Sequence, residues 1–198
     1  MSTIIDENPR GRLLAAAEAR FRRFGYKRTT IEDIATEAST GKGSVYLHFE
    51  SKQDVYMAVV EQSLDRFIDN AEQVVARPGT APERLRSLVE LTAEHYGQDE
   101  LLHSSLFGET DLVGGDVARM AAERQRQRIR VVLEDMLTVG KSEGSVRADI
   151  DPAPTAAVLF ELGWAIVRSG LTAADTKQLE SWLDILNDVV GLGLLPRA

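Results

Sequence analysis

The sequence contains no cysteine, only six prolines and no long uncharged run. Without cysteine the chain can form neither a disulfide framework nor a thiolate zinc site, and it has no cysteine nucleophile. No uncharged stretch approaches the roughly 18 residues that span a bilayer, and the first ten residues lack the basic start and apolar run of a secretory signal. These absences predict a soluble cytoplasmic protein without a membrane anchor.

The net charge of −8 argues at first against binding to nucleic acid, because DNA binding rests largely on Lys and Arg. The charge is unevenly distributed, however. Residues 1–55 hold nine basic and eight acidic side chains, which leaves fourteen basic and twenty-three acidic ones for the rest of the chain. A basic face is therefore possible only near the N-terminus, whereas the remainder would be repelled by DNA.

Apolar residues recur at three- and four-residue spacing along most of the chain, which is the pattern of amphipathic helices. Capping signals agree with it: Pro9 opens the first helix, Gly25 ends it, and Thr29 and Thr30 stand three residues ahead of Glu32 and Asp33. No succession of short alternating strands is present. We predict an all-α fold of about nine helices. Their expected ranges are 9–24, 31–38, 42–49, 51–75, 82–96, 100–107, 116–143, 152–171 and 176–192.

The segment 29–52, TTIEDIATEASTGKGSVYLHFESK, carries the functional signal. It predicts two short capped helices joined by a tight turn that contains glycine, the arrangement of a DNA-binding helix-turn-helix. Gly41 and Gly43 would leave room for a close backbone approach, and Lys42 and Ser44 would reach base edges or nearby phosphates. Thr30, Tyr46, His48 and Lys52 are candidate donors to the sugar-phosphate backbone.

This segment resembles the tetracycline-repressor (TetR) family of bacterial regulators. The resemblance covers about residues 9–60 and rests on Phe24-Gly25-Tyr26, Thr29-Thr30-Ile31, the run from Gly41 to Phe49, and Ser51-Lys52. It implies an N-terminal helix-turn-helix domain over 7–55 and a C-terminal ligand-binding and dimerisation domain over 56–198. It also implies a repressor that binds a palindromic operator as a homodimer and is released by a small-molecule effector.

Carried over residue by residue, the resemblance implies two sets of DNA contacts. Bases would be contacted by Lys42, Gly43, Ser44 and Leu47, and phosphates by Thr30, Thr40, Tyr46, His48 and Lys52. Two positions depart from the family pattern: Thr40 replaces an inward-packing valine, and Leu47 replaces a polar or aromatic contact residue. Thr40 is therefore either a cap or a contact, and Leu47 could read a thymine methyl group.

Structural roles remain open for several of these residues. Tyr46 and His48 could be half-buried packing residues, and Lys52 could be a solvated side chain in the first turn of the next helix. In the C-terminal half, the helices at 152–171 and 176–192 are apolar over more than one stripe, which fits a four-helix dimer interface. The alternative is a monomer in which both helices are deeply buried.

The resemblance alone suggests an effector cavity among the helices that lie between about residues 80 and 170. The aromatic, polarizable or hydrogen-bonding candidates for its lining are His95, Tyr96, His103, Phe107, Met120, Arg124, Trp164 and Arg168. His95 and His103 lie among acidic residues but without regular ligand spacing, so no metal is predicted, and no cofactor either.

Motifs of common enzyme classes are missing from the sequence. Thr36 and Asp135 occupy the positions at which a phosphate-binding loop would need glycine, and neither Gly-x-Ser-x-Gly nor His-Glu-x-x-His occurs. We therefore expect a regulator rather than an enzyme. The alternative function is a helical ligand-binding or adaptor protein that does not bind DNA.

Overall fold

The computed structural model describes residues 8–98, 115–172 and 176–196, and these contain eight helices and no strand. The all-α class is confirmed, whereas the helix expected at 100–107 lies outside the described residues. The helices are α1 (Pro9–Arg28), α2 (Ile31–Glu37), α3 (Lys42–Tyr46), α4 (Lys52–Val75), α5 (Ala81–Gln98), α6 (Gly115–Glu143), α7 (Pro152–Thr172) and α8 (Thr176–Leu194).

Helix α1 shows how the local sequence sets the helix ends. The Asn8 side chain accepts a hydrogen bond from the backbone N–H of Arg10, at 3.1 Å, and Pro9 occupies the first turn. Both features favour a helix start because the first N–H groups of a helix have no partner within it. Gly25 leaves the helical conformation with φ of 75°, which interrupts α1 at the predicted stop.

The chain divides into two compact units. The first comprises described residues 8–64 and 115–122, and the second 65–98 and 123–196, again counting only described residues. Helices α4 and α6 each contribute residues to both units. The division therefore falls inside α4 and not at the boundary between 55 and 56 that the resemblance implied, and that domain boundary stays a prediction.

The first unit is built around α1, α2, α3 and the start of α4. Phe21, Ile34, Val45 and Tyr56 are almost completely buried. The Tyr56 ring meets the Phe21 ring edge-on, with 5.3 Å between the centroids. Burial of these apolar side chains stabilises the unit and fixes the relative placement of the two short helices.

The second unit contains α5, α7 and α8, each of which packs against the other two. Arg84 of α5 is buried, and its guanidinium donates to the Arg77 carbonyl oxygen at 3.0 Å and to the Glu143 carboxylate at 2.6 Å. This arginine therefore ties the loop before α5 to the end of α6. Within the described ranges, we find no helix of the length and apolarity needed to cross a membrane.

Candidate nucleic-acid interface and ligand cavity

The start of α2 is fixed by a capping box between Thr30 and Asp33. The Thr30 hydroxyl oxygen accepts a hydrogen bond from the Asp33 N–H at 3.1 Å, and the Asp33 carboxylate accepts from the Thr30 N–H at 2.9 Å and from its hydroxyl at 2.7 Å. Hydrogen bonds from Thr30 hold the pKa of Asp33 below its ordinary value. The hydroxyl that is expected to contact phosphate thus also caps the helix, and its DNA contact stays a prediction.

The turn between α2 and α3 closes through a Schellman motif. The Ser39 N–H donates to the Thr36 carbonyl at 3.0 Å, and the Thr40 N–H donates to the Ala35 carbonyl at 2.9 Å. Ser39 has φ of 54°, the left-handed conformation that glycine usually supplies at this position. Gly41 instead has an extended conformation and stands as the N-cap of α3.

Helix α3 presents one buried and one exposed face. Val45 and, just beyond the helix, Phe49 are buried, whereas Tyr46 is 50% and Leu47 82% exposed. The remaining expected contact residues on this face, Lys42, Gly43 and His48, are also exposed, and Ser44 and Thr40 are partly exposed. The buried pair anchors the helix while the opposite face stays open to a partner.

The two glycines flanking Lys42 face open space. A Cβ atom built on Gly41 or on Gly43 would meet no described atom within 4 Å. Packing within the described chain therefore does not demand glycine at these positions. A close approach by a binding partner would explain their lack of a side chain.

Lys42 and Lys52, the two expected cationic contacts, both have partners within the protein. Lys42 forms an ion pair with Glu32 of α2, and its ammonium lies 5.9 Å from the centre of the Tyr46 ring. Lys52 donates to the carbonyl oxygens of Tyr26 at 2.9 Å and Thr29 at 3.0 Å. Partial burial lowers the pKa of Lys52. Lys52 is therefore a structural anchor in this conformation, and its phosphate contact stays a prediction.

A surface recess of about 200 Å³ is lined in part by Arg12, a residue that the helix-turn-helix motif does not identify as a DNA contact. Arg12 of α1 lines it together with Thr40, Ser44 and His48, so four hydrogen-bonding side chains from three parts of the chain share one concavity. The remaining lining residues are Pro9, Leu13 and Ala38. In the sequence, Arg12 is one of several N-terminal arginines, and nothing in its local pattern distinguishes it.

The second unit encloses an apolar cavity of about 40 Å³. Its described lining carries no charged side chain, and Thr92 and Trp164 are the lining residues whose side chains contain a polar atom. The Trp164 ring stacks on Phe160 with 6.2 Å between centroids. The described lining residues are Phe67, Ala71, Leu85, Leu88, Val89, Thr92, Ile129, Val132, Leu133, Leu159, Phe160, Gly163, Trp164 and Val167.

The expected ligand residues fall into three groups. Trp164 lines the cavity, and the His95 ring lies 5.1 Å from that of Phe67, itself a lining residue. Met120 and Arg124 are exposed, and the Met120 sulfur accepts a hydrogen bond from the Gln53 side chain at 3.3 Å. His103, Phe107 and the side chains of Tyr96 and Arg168 lie outside the described residues. Among the described residues, no three His, Asp or Glu side chains are grouped as a metal site would require.

Helices α7 and α8 of the second unit each expose a row of apolar side chains. Val158, Leu162 and Ala165 follow one another at four- and three-residue spacing on α7. Ile185, Val189 and Leu192 do the same on α8. We call these two rows the apolar stripes.

The chain is similar to known bacterial regulatory proteins. Residues 13–59 match the family of bacterial regulatory proteins described as the tetR family. The chain is 27% identical over 162 residues to the HTH-type transcriptional repressor KstR2 of Mycobacterium tuberculosis, covering 80% of each chain. It is 25% identical over 136 residues to the fatty acid metabolism regulator protein of Bacillus subtilis, covering 64% of this chain and 65% of the relative.

A solved structure shares the fold. The transcriptional regulator FadR from Bacillus subtilis, crystallised in complex with stearoyl-CoA, superposes with a TM-score of 0.71 at 18% identity. The alignment covers 93% of this chain and 98% of that one. The similarity therefore extends beyond the helix-turn-helix to the helices that enclose the cavity.

Proposed function

Since this chain belongs to the TetR family of ligand-responsive, DNA-binding bacterial regulators, we propose that it represses transcription by binding a palindromic operator as a homodimer. The observation that carries the DNA-binding part is the exposed face of α3. Tyr46 and Leu47 project from this face while Val45 and Phe49 hold the helix in the core. A helix held in this way can enter the major groove without losing its packing.

Individual roles follow from side-chain chemistry. Lys42 donates to acceptors on base edges, and Leu47 contacts a thymine methyl group. Tyr46 and His48 donate to phosphates and thereby set the register of the helix on the duplex. Arg12 binds a phosphate seated in the recess that it shares with Thr40 and Ser44, since a guanidinium and two hydroxyls are good donors to phosphate oxygens.

The apolar stripes support a homodimer. Contiguous exposed apolar side chains on a protein surface mark interaction sites, and a two-fold dimer would bring α7 and α8 of two subunits into one four-helix interface. Val189→Asp would place a charge in that interface and produce monomers in sedimentation velocity. Val131→Asp is the matched control, because Val131 of α6 is also more than half exposed but lies outside the stripes.

The effector is proposed to carry a long apolar chain, such as that of an acyl-CoA. The cavity lining supports this class because an uncharged wall offers little to a highly polar ligand. Ligand pockets usually measure about 300–1,000 Å³, so the cavity must expand before such a chain can enter. An effector that binds best to an expanded form of low operator affinity would shift the population toward that form.

Selection of DNA from a random-sequence pool tests the proposal. We expect the wild-type protein to enrich a palindrome, to bind it with strong salt dependence, and to lose affinity in the variants Lys42→Ala and Tyr46→Phe with an unchanged circular dichroism spectrum. Arg130→Gln, which removes an exposed cation of the second unit, should bind as the wild type does. If no duplex is enriched, the chain is a ligand-binding or adaptor protein instead.

A further inference from the structure

Glu32 and Lys42 join the two helices of the helix-turn-helix at its surface. Glu32 lies in the first turn of α2 and Lys42 in the first turn of α3, and the carboxylate Oε1 of Glu32 accepts a hydrogen bond from Nζ of Lys42. The Lys42 side chain is 50% exposed and the Glu32 side chain 60% exposed. A cation expected to contact DNA therefore carries an acidic partner that is equally accessible to DNA.

Both partners are fully charged at neutral pH. The hydrogen bond to Lys42 lowers the pKa of Glu32, and the same bond, with the attraction between the two charges, raises the pKa of Lys42. A solvent-exposed ion pair adds little to folding stability, although a carboxylate in the first turn of α2 also favours the helix N-terminus. Because the pair is exposed, it also alters what this surface binds.

The pair changes how Lys42 meets a DNA backbone. An unpaired ammonium group is attracted by any DNA phosphate, whatever the base sequence. A paired ammonium must either give up Glu32 or bring the carboxylate close to the phosphates, which repel it. Glu32 therefore weakens contacts of Lys42 that carry no sequence information.

A G·C base pair is complementary to the intact ion pair. In the major groove guanine presents the acceptors O6 and N7, and the cytosine opposite presents the N4 amino donor. The Lys42 ammonium has three N–H donors, so it can donate to guanine while still bonded to Glu32. The second oxygen of the Glu32 carboxylate can then accept from cytosine N4.

We propose that Glu32 is a specificity-determining residue, which together with Lys42 reads one G·C pair in each half-site and suppresses binding to unrelated DNA. The inference rests on the proposed DNA binding and deepens it. It assigns a DNA contact to α2 as well as to α3. It also gives an acidic residue a favourable role in a surface that otherwise depends on positive charge.

The test compares the wild type with Glu32→Gln, which removes the charge but keeps the side-chain length. Each protein selects duplexes from a random-sequence pool, and its affinity is then measured for the duplex enriched by the wild type and for a shuffled duplex of equal composition. We expect Glu32→Gln to bind the shuffled duplex more tightly and to lose about fivefold or more in the ratio of the two affinities. Its salt slope on shuffled DNA should steepen by about 0.9, the contribution of one further phosphate.

The control is Glu37→Gln, because Glu37 also belongs to α2 and its ion pair is with Arg20, at 3.7 Å. In a second background, Lys42→Gln, the additional change Glu32→Gln should alter the affinity ratio clearly less than it does in the wild type, since the proposed reading of the G·C pair needs both residues. The pool selected by Glu32→Gln alone should also lose the G·C preference at one position of each half-site. Equal effects of Glu32→Gln and Glu37→Gln would overturn the inference while leaving DNA binding intact, whereas absence of any enriched duplex for the wild type would overturn both.

Discussion

The ammonium group of Lys52 lies 4.3 Å from the centre of the Tyr26 ring and donates a hydrogen bond of 2.9 Å to the Tyr26 carbonyl oxygen. A second bond reaches the Thr29 carbonyl. The first residue of α4 therefore holds the chain segment in which α1 ends. Carbonyl groups at the end of a helix have no partner within it, and a lysine from elsewhere in the chain can satisfy them.

Replacement of Lys52 by Met should lower the free energy of unfolding by about 1–3 kcal/mol, because two partly buried carbonyls lose a charged donor. Urea denaturation followed by circular dichroism measures this change. If Lys52 acts only as a phosphate contact, stability will stay unchanged and the salt slope of DNA binding will fall by about 0.9. The two roles thus give opposite results in the same variant.

The left-handed conformation of Ser39 leads to a second prediction. A residue other than glycine loses about 1–2 kcal/mol of folding stability in this conformation. Glycine avoids this cost, but part of the gain is lost because glycine has greater conformational freedom in the unfolded chain. We expect Ser39→Gly to stabilise the protein by about 0.5–1 kcal/mol in urea denaturation. Ser39→Ala keeps the strain and should not stabilise. A gain in the alanine variant equal to that in the glycine variant would contradict this explanation.

The capping box shows what local sequence predicts and where it stops. Both Thr29 and Thr30 stand three residues ahead of an acidic residue, and the structure uses Thr30 with Asp33. Thr29 is completely buried, and its hydroxyl donates to the Gly25 carbonyl at 2.8 Å. The pattern therefore predicted the helix start correctly, but the choice between two adjacent threonines depended on packing against α1.

Contacts that are distant in sequence account for the other differences. The partners of Lys52 precede it by 26 and 23 residues, so its first-turn position gives no sign of them. The cavity presents the same difficulty: each helix can be recognised from its periodicity, but the lining depends on which faces meet. Most of the residues that line the cavity have aliphatic side chains, such as Leu85 and Val132. Sequence analysis favours aromatic, polarizable or hydrogen-bonding residues as ligand contacts and therefore does not single out these aliphatic positions.

Acid should weaken the contact between Arg84 and Glu143. Hydrogen bonds from Arg84 hold the pKa of Glu143 below its ordinary value of 4.5, so the unfolded chain binds a proton more readily than the folded one. The stabilisation is therefore present above pH 4.5 and is lost as the pH falls through the lower pKa of the folded state.

Glu143→Gln provides the comparison for this pH dependence. It should be less stable than the wild type at pH 7, and the difference should shrink as the pH drops below about 4.5, because the protonated carboxyl then resembles the amide. Glu134→Gln, a change of an exposed carboxylate in the same helix, is the control for the loss of one negative charge. Urea denaturation at a series of pH values measures both.

Filling the cavity should separate effector response from DNA binding. Ala71 is completely buried and lines the cavity, so Ala71→Leu would occupy the space that an apolar effector must enter. Ala156→Leu is the control, because Ala156 is also buried in the second unit but lies outside the described lining. Each change should cost about 1–3 kcal/mol through overpacking.

With stearoyl-CoA as the probe, we expect release of the enriched duplex from the wild type and from Ala156→Leu, and little release from Ala71→Leu. Fluorescence anisotropy of labelled DNA, titrated with stearoyl-CoA, measures the release. Equal loss of response in both leucine variants would attribute the effect to overpacking rather than to the cavity. If neither stearoyl-CoA nor shorter acyl-CoA molecules release the wild-type protein from DNA, the proposal of an acyl effector is wrong. The uncharged lining would then serve only the packing of the second unit.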